Sequence, residues 1–303
     1  MSRKNKYLIV IGGPTASGKT RLAITLARHF HCSIVSADSR QFYRQMSIGT
    51  AKPTREELAQ AKHYFIDTLD IWESYTVGDF EKDVLKLLNS LYCDANIVVM
   101  VGGSGLYHRA VCEGLDFFPE IAESTIEQIE LIYKAEGLSG LQNKLRELDP
   151  IQFRRSDVNN TQRVKRALSV CLATGKPYSS FLNQENKLRD FKTLYFCTDL
   201  PRDVLYERID RRVASMIEDG LEQEARELIE YKTTNALQTV GYKEWFSYWN
   251  GEYPSVGYTI EKIKQHSRNY AKRQLTWFKN QGSYQFVHPE DSEEIIQKIE
   301  AII

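Results

Sequence analysis

The chain is predicted to fold as an α/β protein, a parallel sheet flanked by helices and interrupted by a helical insertion, and three observations carry that prediction. Short apolar runs alternate with amphipathic helical segments, the pattern of a sheet covered on both faces. The first run, Tyr7-Leu8-Ile9-Val10-Ile11, leads directly into Gly13-Pro14-Thr15-Ala16-Ser17-Gly18-Lys19-Thr20. Between residues 116 and 190 helical periodicity continues without a convincing strand,.

Residues 13–20 satisfy G-x-x-x-x-G-K-[ST], in which small residues let backbone N–H groups converge on phosphate oxygens while the lysine adds charge and the hydroxyl holds Mg²⁺. The expected diphosphate-binding set is therefore Gly13, Pro14, Thr15, Ala16, Ser17, Gly18, Lys19 and Thr20, with Thr20 the metal ligand. Leu22, Ile24, Leu26, Ala27 and Phe30 make the following segment an amphipathic helix, which completes a P-loop NTPase-like arrangement,. A second strand is expected at 33–36, ending in Ala37-Asp38-Ser39-Arg40-Gln41, a third at 97–101, running into Gly102-Gly103-Ser104-Gly105, and a fourth at 193–198. The site must lie at the carboxyl ends of these strands, where Lys19, Asp38 and Ser104 would meet. Helices are expected at 202–217, 221–231, 262–279 and 293–303, with an edge strand at 284–287. The division follows: a catalytic core of 1–115 and 190–303, and an insertion of 116–189.

Forty basic residues balance forty acidic ones, so global charge points to no polyanionic partner,. Local charge does. From 139 to 192 eleven bases face five acids, and from Lys262 to Lys279 six bases run without an acid, interleaved with His266, Tyr270, Trp277 and Phe278. Bases mixed with aromatics suit a nucleic-acid backbone and its bases; a solvated helix face is the alternative. The five scattered cysteines fit reduced thiols in a cytoplasm,, and no targeting or membrane segment is visible.

The loop motif alone admits ATP-binding kinases, hydrolases and other transferases. The 97–101 strand ends in Gly-Gly-Ser-Gly where a hydrolase places an aspartate to organise Mg²⁺ and water,, which argues against ATP or GTP hydrolysis. Asp38 stands where a carboxylate takes a proton from an incoming nucleophile while the loop holds the leaving group; a turn-capping aspartate is the alternative. Gln41 offers an amide able to read a base edge.

Together with the phosphate loop, the blocks Ser36-Ala-Asp-Ser-Arg-Gln-Phe-Tyr43, Ile48-Gly-Thr-Ala-Lys-Pro53, His63-Tyr-Phe-Ile-Asp67, Val101-Gly-Gly-Ser-Gly-Leu-Tyr107, Gln162-Arg-Val-Lys-Arg-Ala-Leu168, Gly241-Tyr-Lys-Glu244 and Arg268-Asn-Tyr-Ala-Lys-Arg-Gln274 with Trp277 resemble the tRNA dimethylallyltransferase family, in order, from about residue 7 to 280. The resemblance implies transfer of a dimethylallyl group from its diphosphate to the N6 amine of the adenosine 3′ of the anticodon. It implies Mg²⁺ as cofactor, dimethylallyl diphosphate and the tRNA anticodon stem-loop as partners, a cytoplasmic location and a monomer. It assigns catalysis to Lys19, Thr20, Asp38 and Arg212, with Arg208 and Arg211 as alternatives to Arg212. It sets Asp38, Ser39, Arg40, Gln41, Ser104, Gln162, Arg163, Val164, Lys165 and Arg166 against the RNA, the target base being turned out into a channel between core and insertion. Two departures stand out: Ser104 where threonine is common, and Gln265-His266-Ser267 where a threonine usually precedes Arg268. An isopentenyltransferase of free adenine nucleotides and a small-molecule kinase share the phosphate loop, but leave the basic insertion without a purpose.

Overall fold

The computed structural model describes residues 5–182 and 187–303; Met1 to Lys4 and Glu185, counted above in the charge pattern, lie outside the described residues. Six strands form one sheet: β1 (Tyr7–Gly12), β2 (Ile34–Ser36), β3 (His63–Tyr64), β4 (Ile97–Val101), β5 (Lys192–Thr198) and β6 (Gln285–Val287). Their order is β3-β2-β4-β1-β5-β6, and every neighbouring pair is parallel. The helices are α1 (Lys19–His29), α2 (Arg55–Gln60), α3 (Val77–Asp94), α4 (Gly105–Cys112), α5 (Glu123–Leu148), α6 (Pro150–Arg155), α7 (Thr161–Thr174), α8 (Arg202–Glu218), α9 (Leu221–Glu227), α10 (Lys243–Trp249), α11 (Val256–Lys279) and α12 (Ser292–Glu300).

Alternation along β1 feeds two cores. Tyr7, Ile9 and Ile11 pack with Leu22 and Leu26 of α1 and Ile295 and Ile299 of α12, while Leu8 and Val10 pack with Phe80, Val84 and Leu88 of α3 and Phe278 of α11. Both faces being covered, the strand has no polar side to show, and the sequence reads as an unbroken apolar run. A third cluster joins Phe42, Tyr43 and Met46 to Val213 of α8, Leu221 of α9 and Trp245 of α10.

Three elements differ from expectation. The short β3 carries His and Tyr rather than an apolar run, so it left no strand signal; parallel pairing of Ile34 with His63 and Val35 with Tyr64 creates it. Second, α9 ends at Glu227 and a 3₁₀ turn follows at Ile229–Tyr231. Third, Gly137 interrupts α5 at φ 66°, ψ −157°.

The chain divides into two compact units, one of residues up to Glu113 and from Arg189 onward, the other Gly114–Leu188. The second unit has its own core, in which Ile129, Leu141 and Leu145 of α5 meet Val164, Ala167 and Leu168 of α7. Among the described residues no helix is long and apolar enough to cross a membrane.

Candidate active site

Because all six strands run the same way, the loops after β1, β2 and β4 leave from one edge of the sheet, and they share one pocket. The loop after β1 is pinned from below. Gly13 adopts φ 141°, and a Cβ there would lie 2.2 Å from Thr198 Oγ1, so only glycine permits the turn. Buried Ser17 donates to Pro14 O at 2.8 Å and shares a 2.6 Å hydrogen bond with Thr198 Oγ1 at the end of β5. Gly18, at φ 89°, then opens α1, with Lys19 and Thr20 in its first turn and both facing the pocket.

Two cations stand at the phosphate loop, and Arg40 lines the same pocket. Lys19 Nζ donates to Pro14 O at 2.5 Å, and Arg212 of α8 donates to Thr15 Oγ1 and Ala51 O, each at 3.3 Å. Burial, and next the Arg212 charge, pull the Lys19 ammonium down to about 8, with Asp38 opposing; burial also lowers Arg212. Two half-buried, mutually repelling cations make a site whose energy falls when an anion enters,. Arg208 instead reaches Glu290 at 3.5 Å, and Arg211 pairs with Glu207 at 2.5 Å with its side chain 73% exposed. Of the three arginines, Arg212 lines the pocket.

Asp38 lies beyond β2, facing the same space. Its Oδ1 accepts the Arg40 N–H at 3.0 Å, a turn that fixes the side chain without engaging Oδ2 in that bond. Ser104, at the start of α4, accepts the Ser39 N–H on Oγ at 3.2 Å. The Arg40 guanidinium is held by Asn235 Oδ1 at 3.1 Å. Gln41, expected to read a base edge, has its amide engaged inside the protein: Nε2 donates to Thr50 O and Ala51 O, and Oε1 accepts from Ser36.

Apart from Arg212, sequence reading missed the far walls. Ile263, Ser267, Tyr270 and Gln274 line the pocket from one face of α11, and Ile209, Arg212, Val213 and Met216 from one face of α8; the i, i+3/i+4, i+7 spacing of each set was the available signal. Gln274 clamps two loops, accepting the Thr15 N–H at 3.0 Å and donating to Gly103 O at 2.9 Å. Burial of its hydroxyl and the nearby Asp38 charge push the Tyr270 phenol up to about 12, with Arg40 and Arg273 opposing. Glu224 of α9 was missed too. Its carboxylate accepts the N–H groups of Ser47, Ile48 and Gly49 at 2.8 to 2.9 Å and the Tyr242 hydroxyl at 2.6 Å, and so braces the loop that brings Thr50 and Ala51 to the pocket.

The expected RNA residues of the insertion divide by helix face. Gln162, Arg163 and Arg166 on α7 are exposed, with the Arg166 guanidinium 5.2 Å from the Phe118 ring. Lys165 lies against Glu130 at 2.6 Å and over Tyr133. Val164, expected to face the RNA, is fully buried between α5 and α7, because an apolar side chain on that face gains more from the core than from a phosphate,. The aromatics of the second basic run are corrected likewise. Phe278 is 1% exposed in the sheet core, and Trp277 packs so closely on α4 that a Cβ on Gly105 would come within 2.1 Å of its ring. Two of the bases around them are also engaged, Arg268 with Asp210 and Lys264 with Glu261.

Comparison with known proteins places the chain in a family. The family model described as IPP transferase matches residues 41–281. The tRNA dimethylallyltransferases of Flavobacterium psychrophilum and Christiangramia forsetii are 46% and 47% identical, covering 97% and 99% of this chain and the same shares of their own. The full-length tRNA isopentenylpyrophosphate transferase of Bacillus halodurans superposes with a TM-score of 0.73 at 34% identity, over 98% of this chain and 96% of the other. A eukaryotic dimethylallyltransferase acting on tRNA does so at 0.80 and 26% identity, over 94% of this chain and 74% of its own.

Proposed function

Since the chain belongs to the IPP transferase family and is a tRNA-modifying prenyl transferase, we propose that it carries the dimethylallyl group from dimethylallyl diphosphate to the N6 amine of the adenosine 3′ of the anticodon. The observation that carries this reading is one pocket holding Lys19, Thr20 and Arg212 together with Asp38. The cations take the diphosphate. As the allylic C–O bond breaks, negative charge grows on the departing diphosphate oxygen, and fixed N–H groups of the loop, Lys19 and Arg212 stabilise it more than they do the intact ester.

The acceptor needs help of a different kind. An adenine amine has its lone pair delocalised into the ring, and it must lose a proton as the N6–C bond forms. Asp38 takes that proton. Tyr270, kept protonated, and Ser104 hold the rim beside it. The nucleotide leaves its stack to enter, which an unpaired loop allows more cheaply than a duplex.

Mg²⁺ fits this site on its donor chemistry. Among the described residues no three His, Cys, Asp or Glu side chains could hold a metal alone, but Thr20 offers a hard hydroxyl oxygen beside the anion pocket, and Mg²⁺ is commonly held by one or two protein oxygens plus substrate phosphates. When bound it would neutralise charge on the leaving diphosphate. The protein is proposed to act in the cytoplasm as a monomer.

The test is incubation with dimethylallyl diphosphate and either unmodified tRNA or AMP. Prenylation of the tRNA adenosine with none of AMP is expected; prenyl transfer to AMP, or ATP-dependent phosphorylation of a metabolite with no prenyl transfer, would overturn the reading.

A further inference from the structure

The block Gln265-His266-Ser267, where the sequence departs from its family's pattern, falls on α11, and there His266 and Ser267 face two ways. Ser267 lines the Asp38 pocket with Ile263, while His266 borders a separate depression with Glu244, Asn269 and Arg273. The imidazole meets solvent there, its side chain being 39% exposed, whereas the Glu244 side chain is 3% exposed. The two are bonded. His266 Nδ1 lies 2.6 Å from Glu244 Oε1, and Glu244 Oε2 accepts the Gly241 N–H at 2.8 Å. A carboxylate can only accept, so the ring nitrogen is the donor.

What this bridge holds is a wall of the Asp38 pocket. Thr239, Val240 and Gly241 line the pocket but belong to no helix or strand, so neither a helix nor a sheet ladder fixes them. The other apolar walls come from α8 and α11, which Arg268 and Asp210 tie to each other. Glu244 ties the 239–241 turn to α11, and Val240 then packs in one apolar cluster with Val213, Met216 and Ile263. Val240 also borders the depression at His266, so its side chain is the partition between the two spaces.

This cluster adjoins the diphosphate site. Arg212 is followed on α8 by Val213 and, four residues on, by Met216, all three facing the pocket. Four residues are about 6 Å of helix, a span that one five-carbon unit fills and two overrun. We propose that His266 is a positioning residue that, through Glu244, holds Val240 in place and so closes this apolar slot to allylic diphosphates longer than five carbons. The proposal rests on the prenyl-transfer reading of the pocket. Without the imidazole, Glu244 is a buried carboxylate with a partner lost, and it turns to water; the depression beside it is the exit, and the Gly241 N–H and Val240 are released.

The test compares dimethylallyl with geranyl diphosphate, both in transfer to an anticodon stem-loop and in binding without RNA, for the parent chain, His266→Ala, His266→Asn and Val240→Ala. The parent is expected to favour the five-carbon donor strongly. His266→Ala should raise the geranyl-to-dimethylallyl ratio of kcat/KM, and of affinity, about tenfold, chiefly through a lower KM for geranyl diphosphate, and Val240→Ala should do the same. His266→Asn sets an amide nitrogen where Nδ1 stood and should keep the parent's ratio. Added imidazole, reaching Glu244 through the open depression, should return His266→Ala toward it. An unchanged ratio in His266→Ala overturns the proposal whatever happens to overall activity, and so does a parent that takes both donors alike. Equal shifts in His266→Ala and His266→Asn, with no response to imidazole, would trace the effect to lost packing and overturn the hydrogen-bonded role. Absence of prenyl transfer by the parent is a separate result: it overturns the reading of the pocket, while the affinity ratios still report on the slot.

Discussion

The phosphate pocket of the sheet unit and the charged face of α7 in the insertion both present bases, yet they are built in opposite ways. In the pocket, Lys19 and Arg212 are half-buried and each is held by atoms from other segments of its unit or loop, Pro14, Thr15 and Ala51. On α7, Gln162, Arg163 and Arg166 are exposed, and the helix owes its place to Val164, Ala167 and Leu168 beneath them. A charge in low dielectric acts strongly and at one point, whereas a solvated charge acts weakly and is screened. The first design suits a leaving group whose charge grows at one atom during reaction. The second suits a polyanion bound through many small, salt-sensitive contacts.

Four experiments would break or sharpen that contrast. Asp38→Ala has the largest expected effect, at least a ~10²-fold loss in single-turnover rate with RNA binding largely retained; an unchanged rate removes Asp38 from proton transfer. The pH profile comes next. Lys19 titrates near 8 because burial and Arg212 disfavour its charge, so the protonated, anion-binding form declines as pH rises through that value. Accordingly kcat/KM for dimethylallyl diphosphate should fall about tenfold for each pH unit above it, and Lys19→Arg, charged throughout, should lose that alkaline limb. A profile in the parent chain that stayed flat well above that value would show an ammonium still solvated by water.

Glu224→Gln should act from a distance. Its amide nitrogen cannot accept, so at least one of the four donors on Glu224 is left without a partner, at a cost of about 1–3 kcal/mol. The loop carrying Thr50 and Ala51 loosens, and kcat/KM should fall several-fold while RNA affinity holds; equal loss in both would mean a general defect of folding. Smallest of all, Arg163→Ala or Arg166→Ala should weaken RNA binding only a few-fold, but lower the slope of log K against log salt by about one for each phosphate no longer neutralised. If the slope of either variant matched the parent's, that arginine would not touch the phosphate backbone.

The aromatic members of the basic run on α11 show where linear reading misleads. Tyr270, Trp277 and Phe278 stand within nine residues, and together they suggested a stacking surface. Folded, one lines the pocket, one packs on α4 and one is buried in the sheet core. Neighbours in sequence are distributed around a helix by its 3.6-residue turn, so composition alone could not tell which would meet solvent.

What the amino-acid order decided unaided was local and periodic: unbroken apolar strands that demand cover on both faces, glycines and a lysine at the spacing of a phosphate turn, and a carboxylate just beyond a strand end. These rest on covalent geometry and on burial, which act within a few residues. Tertiary structure decided the rest. It chose Arg212 over Arg208 and Arg211, placed Gln274 and Glu224 as braces, committed the Gln41 amide inward, and sent Val164 into a core. Each depends on segments well apart in the chain coming together, and a hydrogen bond or a desolvated charge exists only once both sides have arrived.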